Sequence, residues 1–143
     1  MRKEDKELLL KDLSARLPYG VIVHHKNVNR DFNLIAVFND GRIGVSTLKE
    51  NIGLSPTSIN ECQPYLRPMS SMTEEEKGEL QNNFCYGWNY KEEDVWDFFN
   101  HHKIYTADAE LLVGWLNSHH FDYRGLIENG LAIEASEGMY CLA

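Results

Sequence analysis

Six histidines stand in three adjacent pairs, His24-His25, His101-His102 and His119-His120. Neutral imidazole is a good ligand for zinc and copper, so metal binding is the first chemistry to weigh. The spacing gives it little support. Neighbours on a strand face opposite sides and neighbours on a helix point about 100° apart, so only one member of each pair can reach a shared ion. No pair has the His-x-x-x-His spacing that puts two ligands on one helical face, and Cys85 or Asp122 would have to complete a set. In the competing account His102 and His119 close apolar helical stripes, where a ring packs on its neighbours and faces the negative end of the helix dipole. That account is the expectation, with no metal and no cofactor.

The other reactive residue types are as sparse. Cys62, Cys85 and Cys141 make an odd number with no Cys-x-x-Cys, which fits free thiols in a reducing cytosol. A Cys–His nucleophilic pair needs a supporting context, and none of the three has one. Glu74-Glu75-Glu76 and Glu92-Glu93-Asp94 are acidic runs that could do acid–base work, yet both stand where helices begin, so the dipole explains them. The glycines are scattered and form no phosphate-binding loop. Arg67 near Tyr65 reads as cation–π packing, while Arg124 beside Tyr123 suits packing and an interface equally. No catalytic residue is expected. The densest polar cluster is His119, His120, Asp122, Tyr123 and Arg124, where a helix gives way to a loop, and it is the candidate binding patch. The alternative there is structural: Asp122 caps the next helical turn while His119, Phe121 and Tyr123 pack.

The elements around these residues follow from periodicity. Leu9, Leu10, Leu13 and Leu17 predict a helix over 4–17, stopped by Pro18. Residues 20–26, 32–39 and 42–48 read as strands. A two-residue turn at Asp40-Gly41 would set Phe38 opposite Ile43 and Ala36 opposite Val45, giving Leu34, Ala36, Phe38, Ile43 and Val45 one apolar face. That face should meet the leucines of the first helix or the aromatics Trp96, Phe99 and Trp115. A short strand is expected near 58–63, and Pro64–Pro68 reads as an extended connector. Thr73-Glu74-Glu75-Glu76 is a capping box that starts a helix over 74–84. Further helices are expected over 91–102 and 106–119, with a short helical turn over 125–129 that ends at Gly130. The tail could add a last strand.

The chain has 143 residues, 43% hydrophobic and 25% charged, which suits one globular domain over 1–143. The net charge of −8 discourages phosphate backbones, so nucleic acid is an unlikely partner. No apolar run reaches the roughly 20 residues of a membrane span, and the N-terminus lacks a signal-peptide pattern. A cytoplasmic setting is expected.

Three blocks carry a resemblance: Asp12–Val21 (DLSARLPYGV), Gln63–Glu76 (QPYLRPMSSMTEEE) and Leu116–Tyr140 (LNSHHFDYRGLIENGLAIEASEGMY). Together they resemble a protein family of Bacteroides-type gut bacteria and their prophages and mobile elements. The chain departs from it at Ser136, where the pattern has Pro. The resemblance implies a bacterial or phage origin and a cytoplasmic setting. It brings no activity and no site residue.

The expectation is an α+β domain: one helix, then a small, curved antiparallel sheet that could close toward a barrel, then about three helices. The expected function is non-enzymatic, an interaction or accessory protein of a phage or mobile element that binds another protein. The alternatives are a small metal-dependent or Cys/His hydrolase, built on His119, His120, Asp122 and Cys85, and an acidic nucleic-acid mimic.

Overall fold

The structure, a computed structural model, describes residues 1–84 and 106–140. The N-terminal helix, α1 (Lys3–Arg16), runs into a single 3-10 turn over Leu17–Tyr19 that contains Pro18, and Gly20 then reverses the chain at φ +77. The buried side chains of α1 are Leu9, Asp12, Leu13 and Arg16, one stripe at helical spacing. Two of the four are charged, a pattern that the leucines alone do not announce.

Strands β1 (Ile22–His25), β2 (Arg30–Val37) and β3 (Arg42–Thr47) form an antiparallel meander, and a two-residue β4 (Thr57–Ser58) pairs with β3. The β2–β3 hairpin has a different register from the expected one. Phe38 and Arg42 close a three-residue loop, with Gly41 at φ +85, and Val37 stands opposite Ile43. A bulge between Leu34 and Ala36 shifts the pairing again, so Leu34 meets Val45. Val37 thus takes the inner position expected for Phe38, and Ile35 and Phe38 remain exposed. The mechanism is the loop length and the bulge: a three-residue loop with a left-handed glycine moves the first pairs by one, and the bulge moves those beyond it by one more.

Strand β5 (Cys62–Pro68) is where a connector was expected. It pairs antiparallel with β1 and parallel with two short strands, β6 (Phe121–Asp122) and β7 (Ile133–Glu134). Its prolines cost the ladder little. Lys26 donates to the Glu61 carbonyl, and hydrogen-bonded rungs alternate, so Pro64 opposite Val23 falls where an amide would face away from β1. The sheet order is β4-β3-β2-β1-β5-β6, a curved sheet that does not close.

The core lies between α1 and the inner face of this sheet. Leu9 and Leu13 pack with Val21, Val23, Phe32, Leu34, Ile43 and Val45, so the leucines of α1 cover the sheet as one of the two expectations had it. Burying a leucine contributes roughly 1.5–3 kcal/mol, which makes α1 integral to the domain. Helix α2 (Glu74–Phe84) starts with the capping box: Glu76 donates its amide to Thr73 Oγ1 at 3.1 Å, and the Thr73 amide donates to Glu76 Oε1 at 3.0 Å. Helix α3 (Thr106–Ser118) buries Leu112 and Leu116, and Trp115 Nε1 donates to Glu79 on α2. Residues 126–130 form turns, with Gly130 left-handed at φ +74. The helix expected over 91–102, with Trp96, Phe99 and the His101-His102 pair, lies outside the described residues, as do Cys85 and Cys141. No described helix is long and apolar enough to cross a membrane.

Candidate functional site

The five residues of the candidate patch begin where α3 ends. His119 still bonds helically, its amide donating to the Trp115 carbonyl, and His120 then turns the chain at φ +63. That left-handed geometry sends Phe121 and Asp122 alongside β5, where the Arg67 amide donates to the His120 carbonyl at 2.7 Å.

The side chains spread apart from there. The His119 ring stacks on Trp115 with centroids 4.0 Å apart, and its Nδ1 lies 3.0 Å from the Trp115 carbonyl, so Nδ1 carries the proton. Phe121 stacks on the same Trp115, and the Arg67 guanidinium lies 4.1 Å from the Phe121 ring centroid. Arg67 also grips Glu76 with both terminal nitrogens, at 2.8 and 2.7 Å. Burial raises the Glu76 pKa, but the Arg67 fork and Thr73 outweigh it and hold the carboxyl below its usual range.

Asp122 is buried, and its two oxygens accept the amides of Leu126 and Ile127, both at 2.9 Å. It therefore caps the following turn, as the structural alternative supposed. Tyr123 donates to Asn117 Oδ1 at 2.8 Å, and two guanidinium groups lie over its ring, Arg16 at 5.2 Å and Arg124 at 5.0 Å from the centroid.

These arginines lead to residues that the sequence did not single out. Asp12 and Arg16, one helical turn apart on α1, are fully buried. Arg16 Nε donates to Asp12 Oδ2 at 2.7 Å, and Arg16 Nη2 donates to the Phe121 carbonyl at 2.7 Å. Arg124 Nε donates to the other Asp12 oxygen at 3.1 Å. An Asp–Arg pair at i, i+4 ordinarily marks a solvated helix face. The available signal was its phase, since both residues fall on the stripe of Leu9 and Leu13.

His120 differs from its neighbours. Its ring stacks flat on Tyr140, centroids 3.6 Å apart, and its Nδ1 is buried without a hydrogen-bond partner. Burial, then the nearby Arg16 charge, push its pKa down to about 4, so the ring is neutral at pH 7. Tyr140 in turn inserts its hydroxyl into the sheet. Ile22 and Tyr65 would form the next rung of the β1–β5 ladder; instead the Ile22 amide donates to Tyr140 Oη, which donates to the Tyr65 carbonyl.

The first histidine pair divides between the two faces of β1. His24 Nδ1 lies 2.8 Å from Asp31, which also accepts from the Tyr65 hydroxyl at 2.9 Å. Burial and that carboxylate raise the Tyr65 pKa to about 12. His25 Nε2 lies 3.0 Å from Thr57 Oγ1, which donates to Glu61. Cys62 stands opposite His25, but burial and Glu61 push its thiol up to about 11, the wrong direction for a nucleophile. Among the described residues, no group of three or more His, Cys, Asp or Glu side chains is placed to hold a metal ion.

Chemically, the patch is a joint. Asp122 and Tyr123 bond inward, Arg124 reaches back to α1, and His119 completes an aromatic stack. Their combined effect is to tie α1, α3, β5 and β6 together. Comparison of the chain with protein-family models, curated proteins and solved structures found no match.

Proposed function

We propose that this chain is a non-enzymatic, protein-binding module, an accessory protein of a phage or mobile element that acts in the cytoplasm. The observation that carries the reading is where the exposed apolar side chains lie. Among the described residues, Val28, Ile35, Phe38, Leu48, Ile52 and Leu54 are six of the nine large apolar side chains left exposed, and all six fall between β1 and β4. Ile35 is 52% exposed and lies over Gly44 and Gly53, which offer no side chain to cover it. Apolar side chains scattered singly need no explanation, but Ile35 together with Ile52 and Leu54, which flank Gly53 where it bridges Ser46 on β3, is a group that a protein partner would cover. Among the described residues, the inward bonding of the polar patch and the high pKa of Cys62 support the same reading, because they engage Asp122 and Tyr123 structurally and keep the Cys62 thiol protonated. The mobile-element setting rests on the resemblance of the three sequence blocks.

The test is capture from lysate of a Bacteroides-type host, with the wild-type chain and with Ile35→Asp/Leu54→Asp as baits. The expected result is one stoichiometric partner that the double variant loses while its thermal melt stays intact. A Leu111→Asp control on α3, where Leu111 is 63% exposed, should keep the partner. Identical capture by all three baits would overturn the reading. Stoichiometric zinc in protein purified without a tag would favour the metal-dependent alternative instead.

A further inference from the structure

A cavity of about 460 Å³ opens between the end of β5, the turn before α2 and the tail that follows β7. Its volume falls in the range of small-molecule sites, about 300–1,000 Å³. The residues that set its chemistry are Arg67, Pro68, Glu134, Glu137 and Tyr140.

Arg67 would suggest an anion, but its fork is spent. Nη1 donates to Glu76 and the His119 carbonyl, and Nη2 donates to Glu76 and the Ser71 carbonyl. Glu76 also cancels its charge. The Tyr140 hydroxyl is spent on Ile22 and Tyr65, so Tyr140 offers a visitor only the part of its ring that the His120 stack leaves open. Glu134 and Glu137 remain, both exposed and neither paired with a described cation. Among the described residues, the wall therefore carries two carboxylates without a cation partner, beside an aromatic ring and a proline.

We propose that this cavity binds a single guanidinium or alkylammonium group on an apolar stem. The stem lies against Pro68 and Tyr140, and the cationic head sits between Glu134 and Glu137. An aromatic wall and two carboxylates lining one cavity are the features that favour an organic cation over a hydrated metal ion or a phosphate. A basic side chain of a partner protein and a free amine present the same group, and a titration separates them.

At 16.5 kDa the chain suits amide-resolved NMR. The probes are N-acetyl-argininamide, which mimics a side chain on a polypeptide, and n-butylguanidine, which mimics a free small molecule. Saturable shifts are expected at Ala135, Ser136 and Gly138, with a dissociation constant on the order of 1 mM, since exposed ion pairs are weak. Glu134→Gln/Glu137→Gln should weaken binding at least tenfold, and 0.5 M salt should weaken it as well. Equal binding of both probes assigns the site to a side chain of a protein; binding of butylguanidine alone assigns it to a small amine. Saturation by neither probe, binding unchanged in the double variant, or preferential binding of inorganic phosphate would each overturn the proposal. The surface variants at Ile35 and Leu54 leave this cavity intact, so the partner-capture result and this titration can fail separately.

Discussion

Replacing Asp12 by Asn keeps the shape of the side chain and removes its charge. Asp12 and Arg16 are both fully buried, and the carboxylate receives Nε of Arg16 at 2.7 Å and Nε of Arg124 at 3.1 Å. Without it, Arg16 keeps a buried charge with no counter-ion, and Arg16 Nη1 already lacks a hydrogen-bond partner. Breaking a buried pair from one side costs about 3–5 kcal/mol. The partly exposed Arg124 adds less than about 1 kcal/mol. The expected loss of about 4 kcal/mol is a large share of the roughly 5–15 kcal/mol available to a domain. At about 2–4 °C per kcal/mol, the melting temperature should fall by roughly 8–16 °C. Urea unfolding followed by tryptophan fluorescence measures it directly. A companion variant, Asp12→Leu/Arg16→Met, removes both charges and should recover most of the loss. It still leaves the Phe121 carbonyl without its donor, a cost of about 1 kcal/mol. A loss below about 1 kcal/mol for Asp12→Asn would mean that the pair behaves as a surface pair, and the reasoning would be wrong.

Three further outcomes follow from the same geometry. Asp122→Ala removes the acceptor of two amides and should cost about 1–2 kcal/mol in the same urea assay, with no effect on the capture of a partner. Tyr140→Phe orphans the Ile22 amide and the Tyr65 carbonyl; it should cost about 1–3 kcal/mol, and hydrogen exchange at Ile22 should speed up more than at Val45. The low pKa of His120 gives a pH dependence. The folded state resists the proton that the unfolded state accepts, so stability should fall as pH drops from about 6.5 to about 4 and then level off with respect to this group. His120→Asn, which tolerates the same left-handed backbone, should flatten that part of the profile; an unchanged slope would remove His120 as its source.

What could be read in the sequence was local. The capping box of Thr73 and Glu76 names its own partners three residues apart, and Gly130 ends its turn as expected. The hairpin was visible at Asp40-Gly41, but its register depended on Phe38–Arg42 closure and on the Ile35 bulge, which no two-residue rule anticipates. Strand β5 was hidden because Pro64 and Pro68 argue against a central strand, and the rung that excuses Pro64 is set by β1. Of the candidate patch, the capping by Asp122 was foreseen as the structural alternative. The buried Asp12–Arg16 pair was not, because its partners, Phe121 and Arg124, lie more than a hundred positions downstream.

Those separations have a consequence for how the domain is made. The Asp12–Arg16 pair of α1 and the Ile22 amide of β1 are hydrogen-bonded by Phe121, Arg124 and Tyr140, at separations of 105, 112 and 118 positions. A nascent or clipped chain that lacks the downstream segment leaves Arg16 Nη2 without its acceptor and the Ile22 amide without the Tyr140 hydroxyl. Residues 12–22 and 121–140 must therefore fold as a single cooperative event, which a sequence separation of this size makes slow. Proteolytic nicking in the C-terminal third should release the whole fold rather than a stable N-terminal core.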